Sequence, residues 1–183
     1  MLRKSKSGKL VDIITSWDDG KQHDKYLHAL LQQYDIPAIF YIPSINRDLS
    51  DDQIRTIAHT SEIGGHTVNH TILRGPHPDI VFAEVNDCKE RMEEIIGRKI
   101  TSFCYPRGRY DDVVKQTVRD AGFTEARTTT VLHNKRNTDP FELHTTCHVY
   151  PRKEYGKKKW HQIAVWQLNE VCDIESDANY FHL

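Results

Sequence analysis

Short apolar, β-branched segments alternate with helix-length amphipathic ones from residue 10 onward, and no other feature constrains the fold as much. Strand-like runs fall at 10–16, 36–42, 62–64, 100–105, 123–129, 143–150 and 178–183. Helix-like stretches lie between them at 21–34, 50–60, 78–96, 111–121 and 155–171. Ser50 opens the second helix as a cap, while Gly97 and Gly122 close the third and fourth. Seven strands alternating with helices predict a parallel α/β architecture, either an open sheet or a barrel. At 183 residues, with 38% hydrophobic and 28% charged side chains, the chain suits one globular domain over 1–183. It shows no repeat, linker or low-complexity tract.

The charge balance narrows the function classes. A net charge of −1 and a sequence pI near 6.8 give no global field for nucleic acid or an acidic membrane. The local basic clusters (Arg3, Lys4, Lys6 and Lys9; Lys157, Lys158 and Lys159) read as a solvated tail and a solvated face. No apolar stretch approaches the ~18–20 residues of a membrane span. The charged N-terminus runs into an apolar segment that ends in acids and reads as a strand, so a cytoplasmic location is expected. Cys88, Cys104, Cys147 and Cys172 are scattered with no C-x-x-C pair, which suits buried thiols rather than disulfides or a zinc ribbon.

In parallel α/β folds, function gathers where the strands end. Asp18 and Asp19 (TSWDDG, 15–20) follow the first strand, His66 and His70 (HTVNH) the third, and Tyr105, Pro106, Arg107 and Gly108 the fourth. Adjacent carboxylates repel, and a divalent cation relieves that repulsion. Two histidines and one carboxylate are a standard set for zinc, cobalt or iron with positions left open. The second aspartate can then take a proton from water, and amide or ester hydrolysis is the expected reaction class. With 11 histidines, an H-x-x-x-H pair arises readily by chance; its joint placement with DDG carries the signal. His144 and His148 are either satisfied structural groups or site walls. Gly64 and Gly65 are expected to allow the tight backbone of the histidine loop.

Taken together, TSWDDG, HTVNH and FCYPRGRY (103–110) resemble the motifs of the polysaccharide deacetylase family, the NodB-like carbohydrate esterases of family 4. The resemblance implies a distorted (β/α) barrel of about seven parallel strands with outer helices. It implies removal of N-acetyl groups from N-acetylglucosamine-containing poly- or oligosaccharides. By position, Asp18 would be the general base, and Asp19, His66 and His70 would ligate a divalent metal, zinc first, with cobalt, nickel or iron also admitted. Thr67 would hydrogen-bond within the histidine loop. Tyr105, Pro106, Arg107 and Gly108 would form the oxyanion and substrate loop, with the Arg107 N–H at the oxyanion. Where many members tether the base with an arginine, this chain has Cys104; Arg127 is the preferred substitute, on the same rim. The family's last histidine, a general acid, has only His182 as a candidate, so either His182 serves or the domain lacks its C-terminal end. The implied partner is an N-acetylated sugar, with no nucleic acid and no membrane span. A small-molecule amide hydrolase and a carbohydrate-binding domain with weak or no catalysis are the alternatives.

Overall fold

The structure, a computed structural model, describes residues 2–4, 10–173 and 175–183. Lys6 and Lys9 of the N-terminal basic cluster lie outside the described residues. Six parallel strands form the curled sheet: β2 (Leu10–Asp18), β3 (Ala38–Ile42), β4 (Glu62–Gly65), β5 (Ser102–Cys104), β6 (Glu125–Arg127) and β7 (Tyr180–His182). A seventh strand, β1 (Leu2–Lys4), pairs antiparallel with β2. The order runs β7–β2–β3–β4–β5–β6, because the long β2 pairs with β7 through residues 12–14 and with β3 through residues 15–18.

The segment expected as a strand at 143–150 is a correction. Only Leu143 forms a bridge, to Arg127, and the rest runs as irregular backbone between β6 and β7. Its threonines explain why. Thr145 Oγ1 donates to the Thr130 carbonyl and Thr146 Oγ1 to that of His133, at 2.9 and 2.6 Å, competing with a regular ladder. The segment still joins the two edges: Thr128 N–H donates to Leu143 O and Thr146 N–H to His182 O, both at 2.8 Å. The result is a partial barrel whose gap is spanned by residues 143–147.

The outer helices are α1 (Asp24–Gln33), α2 (Asp51–Ala58), α3 (Pro78–Ile96), α4 (Asp112–Asp120) and α5 (Trp160–Cys172). Ser50 caps α2 in a reciprocal box with Gln53, and Gly97 ends α3 in the left-handed conformation. The fifth helix begins at Trp160, not 155: the chain makes one tight turn at Lys153–Tyr155, and Gly156, with φ 58°, ends it. Apolar stripes of α2, α3 and α4 (Ile54, Val85, Met92 and Val118 among them) cover the sheet over Phe40, Ile63 and Phe103. A second cluster, Val11, Val131, Ile163, Val171 and Phe181, seats α5 against β7. Cys88, Cys104 and Cys147 are buried thiols, whereas Cys172 is exposed. No helix among the described residues is long and apolar enough to cross a membrane.

Gly64 and Gly65 are strand residues of β4 rather than parts of a tight loop, which corrects the sequence expectation. A Cβ on Gly64 would sit 2.4 Å from the Tyr41 ring, so the aromatic filling of the barrel, not a turn, demands glycine there.

Candidate metal centre

β2 ends at Asp18, and the chain turns sharply at Asp19, whose φ is 79°. That left-handed residue ends the strand on the rim. The two adjacent carboxylates have different main partners there, the histidines for Asp19 and Arg127 for Asp18, which answers why a fold would place them side by side.

Asp19 faces the histidines. Its Oδ1 lies 3.5 Å from His66 Nε2 and 3.4 Å from His70 Nε2, and the three donor atoms lie within 4.8 Å of one another. Two donors each ~2.1 Å from a tetrahedral zinc stand about 3.4 Å apart. The set therefore fits a shared divalent ion. His66 Nδ1 donates to the Cys104 carbonyl at 2.8 Å, which leaves the Nε2 lone pair turned toward Asp19. Without an ion the cluster demands positive charge: burial opposes protonation of His66, yet Cys104 and Asp19 push it up to about 10. Asp19 is held below the ordinary carboxylate range by its hydrogen bond with His66, and His70 is lowered by burial and by the charge of His66.

Asp18 is paired chiefly with Arg127, whose Nη2 donates to both carboxylate oxygens. Its carboxylate also lies within 4.8 Å of a His66 ring nitrogen and Cys104 Sγ, a second set of donors able to share an ion. Arg127 is buried in the barrel beneath the Tyr41 ring, 5.2 Å from its centroid, and also donates to Cys104 Sγ at 3.0 Å. Burial would raise the Asp18 pKa, but the Arg127 guanidinium and the charge of His66 together outweigh it and the net shift is downward. The sequence-predicted Arg127 and Asp18 are thus in contact, and Cys104 Sγ lies beside the pair, 3.9 Å from Asp18 Oδ2.

The third loop divides. Pro106, Arg107 and Gly108 form a tight turn on the rim, with Arg107 at φ 55° and close enough to His70 to lower its pKa. The Tyr105 side chain is not part of a substrate surface, contrary to expectation. It is buried, stacks on Tyr110 at 4.4 Å and donates to the Phe141 carbonyl at 3.1 Å. His182 also lies away from the rim. It pairs in register with Ile14, four residues before Asp18, and its ring nitrogens meet Tyr180 OH at 2.7 Å and Ser16 Oγ at 2.8 Å.

Beside Asp18 opens a cleft of about 160 Å³ walled by Trp17, Arg127, Thr129, His148 and Tyr150. This settles the pair left open in the sequence. His148 lines the cleft, its nitrogens at 2.9 Å from Thr145 Oγ1 and Tyr150 OH; burial lowers its pKa to about 4, so it is neutral. His144 is satisfied away from the cleft by Thr128 and Asn137. A larger cavity, about 600 Å³, opens at the opposite end of the barrel among strand-start residues such as Pro37 and Glu62. The groups able to share an ion among the described residues lie at the carboxyl rim.

Sequence reasoning passed over two contributors. Thr67 Oγ1 accepts from the Thr71 N–H at 2.9 Å, as expected, but the main holder of the histidine loop is Glu84. Its signal was visible as an acid inside the apolar stripe of α3, between Val81 and Cys88. Tyr150, on the cleft wall, had no such signal.

A family model described as polysaccharide deacetylase matches residues 6–126. Among solved structures, the chain resembles the PplD deacetylase of Streptococcus pyogenes in complex with acetate, with 21% identity and a TM-score of 0.67 over 72% of this chain and 62% of that one. It resembles a Bacillus cereus polysaccharide deacetylase at 21% identity and a TM-score of 0.62, over 72% of this chain and 45% of that one. For IcaB from Ammonifex degensii the values are 20% and 0.66, over 83% and 71%. At these identities the likeness is one of fold, and the chain spans less than two thirds of the first two structures. None of the curated proteins matches it.

Proposed function

The chain belongs to the polysaccharide deacetylase family, and on that premise we propose that it is a metal-dependent hydrolase removing N-acetyl groups from N-acetylglucosamine-containing poly- or oligosaccharides. The observation that carries this reading is the division of labour at residues 18 and 19. One carboxylate joins two histidine nitrogens in an ion-sized cluster, while its neighbour, also near His66, is engaged through both oxygens by Arg127, which favours its ionised form.

Asp19, His66 and His70 would hold the divalent ion, which when bound supplies Lewis acidity to the acyl oxygen and to water. Asp18 takes the proton from the attacking water as general base; its ionised form is the one Arg127 favours. Protonated Asp18 faces the cleft and can return that proton to the departing amine. The backbone N–H of Arg107 supplies an oxyanion donor, while those of Gly108 and Arg109 close the turn onto the Tyr105 and Pro106 carbonyls. Trp17 and Tyr150 flank the cleft as platforms for a sugar ring.

The test is acetate release from chitooligosaccharides by protein stripped of metal and resupplied with zinc or cobalt, beside Asp18→Asn. Metal-restored release in the wild type, with loss in Asp18→Asn at full metal content, is the expected result. A metal-loaded wild type that releases no acetate from these substrates sinks the substrate assignment, and a wild type that takes up no metal sinks the site.

A further inference from the structure

Residues 67–71 cannot keep their shape unaided. Thr67 and His70 both sit in the left-handed region, at φ 66° and 60°, and neither is glycine. Something must hold the loop that sets the two histidines. Its carbonyls are taken from one side, where Ser44 N–H donates to Thr67 O and Ile45 N–H to Val68 O, both at 3.0 Å.

On the other side the loop's donors converge on one group. Glu84 Oε2 accepts from Val68 N–H at 2.8 Å and Asn69 N–H at 3.0 Å. Glu84 Oε1 accepts from Thr71 Oγ1 at 2.8 Å and Asn69 Nδ2 at 3.2 Å. Each oxygen thus carries two hydrogen bonds, from both backbone and side chains of residues 68–71. No cation pairs with Glu84 among the described residues. A carboxylate set in the buried stripe of a helix, with no counter-ion, has its desolvation offset by these bonds alone.

We propose that Glu84 is the positioning residue of the metal loop. From α3 it clamps residues 68–71, and so fixes the directions in which the flanking His66 and His70 present Nε2 to Asp19. This rests on the metal-hydrolase reading above and adds to it a residue that touches neither ion nor substrate.

The test is zinc affinity of the full chain, read by competition with a chromophoric chelator, alongside circular dichroism and thermal melting. Glu84→Ala is expected to bind zinc about ten- to a hundredfold more weakly while keeping its secondary structure. Glu84→Gln is expected to stay close to wild type. Its amide oxygen can take the two backbone N–H groups, and its NH₂ can donate to Thr71 Oγ1 and a turned Asn69 side chain. Should Glu84→Ala not fold, N69A/T71V removes the clamp's two side-chain partners instead, and weakened zinc binding is again expected.

A Glu84→Ala protein that melts lower yet binds zinc as the wild type does would show a purely structural carboxylate and overturn the proposal. So would Glu84→Gln binding as weakly as Glu84→Ala, since charge and not the clamp would then matter. Wild-type protein that takes up no zinc overturns the hydrolase reading and this inference with it, whereas normal wild-type uptake with unaffected variants overturns this inference alone.

Discussion

The two halves of the centre are held by different physics. The Asp18 side depends on one ion pair between residues 109 positions apart, drawn from β2 and β6 on different parts of the barrel. The His66–His70 side depends on a fan of neutral-donor hydrogen bonds that reach only 13–16 positions to Glu84. The proposed base needs a fixed charge state and one direction, which a guanidinium supplies. The proposed ligands need a fixed backbone, which many modest hydrogen bonds supply better than one strong contact.

The largest expected effect breaks the first half alone. Arg127→Met leaves Asp18 without its cation, and removing one member of a buried pair costs several kcal/mol. Asp18 is 33% exposed, so a loss of about 2–3 kcal/mol in denaturant unfolding of metal-free protein is expected. The sign with pH follows from the depressed Asp18 pKa. The pairing stabilises fully above the ordinary aspartate value of about 3.9, and that contribution fades as pH falls through the folded-state value. The gap between wild type and variant should therefore be wide at pH 7 and close in acid. Zinc uptake should survive, because no histidine contact is touched; a variant that loses zinc as well would merge the two halves into one.

Gly108 sharpens the same side. It has φ 64°, and a Cβ there would meet Thr129 Oγ1 at 2.2 Å. Gly108→Ala should cost about 2 kcal/mol from backbone strain and overlap, and Thr129→Ala in the same protein should recover part of it. A melt showing no cost would mean that the turn at Arg107 is not pinned to the stretch after β6.

The smallest effect probes the other half. Thr71→Val removes one of the four bonds to Glu84, so about 1 kcal/mol or less of stability should be lost, with zinc affinity falling less than tenfold. A loss as large as that of Arg127→Met would show the fan to be cooperative rather than distributed.

How much of this was legible in the sequence follows the same division. The meeting of Asp19, His66 and His70 was readable because each follows a strand of a parallel sheet, and such strands end on one rim. The contact of Arg127 with Asp18 was readable once β6 was placed on the same rim, since a carboxylate in the barrel needs a cation. The stretch 143–150 misled because its β-branched residues look like strand formers, while their hydroxyls take backbone carbonyls instead. Tyr105 misled because a motif position says nothing of which way a side chain turns. His182 has a residue type suited to acid catalysis, but its strand register sets it in the barrel interior, at the level of Ile14. Glu84 was passed over for the opposite reason: an acid in an apolar stripe looks like noise until the loop above it is known.

The seam between β2 and β7 has a kinetic consequence. His182 meets Ser16 across 166 positions, whereas Asp19 meets His66 across 47, by their residue numbers. Closing the longer loop costs only about 1 kcal/mol more by the logarithm of the ratio, but the chain it closes carries α3, α4 and α5, which makes this the far less local contact. Folding should therefore assemble the ligand loop early and zip the ring at β7 last. In hydrogen exchange the amides of β7 should be the first strand amides to open, and the β3–β4 amides the last.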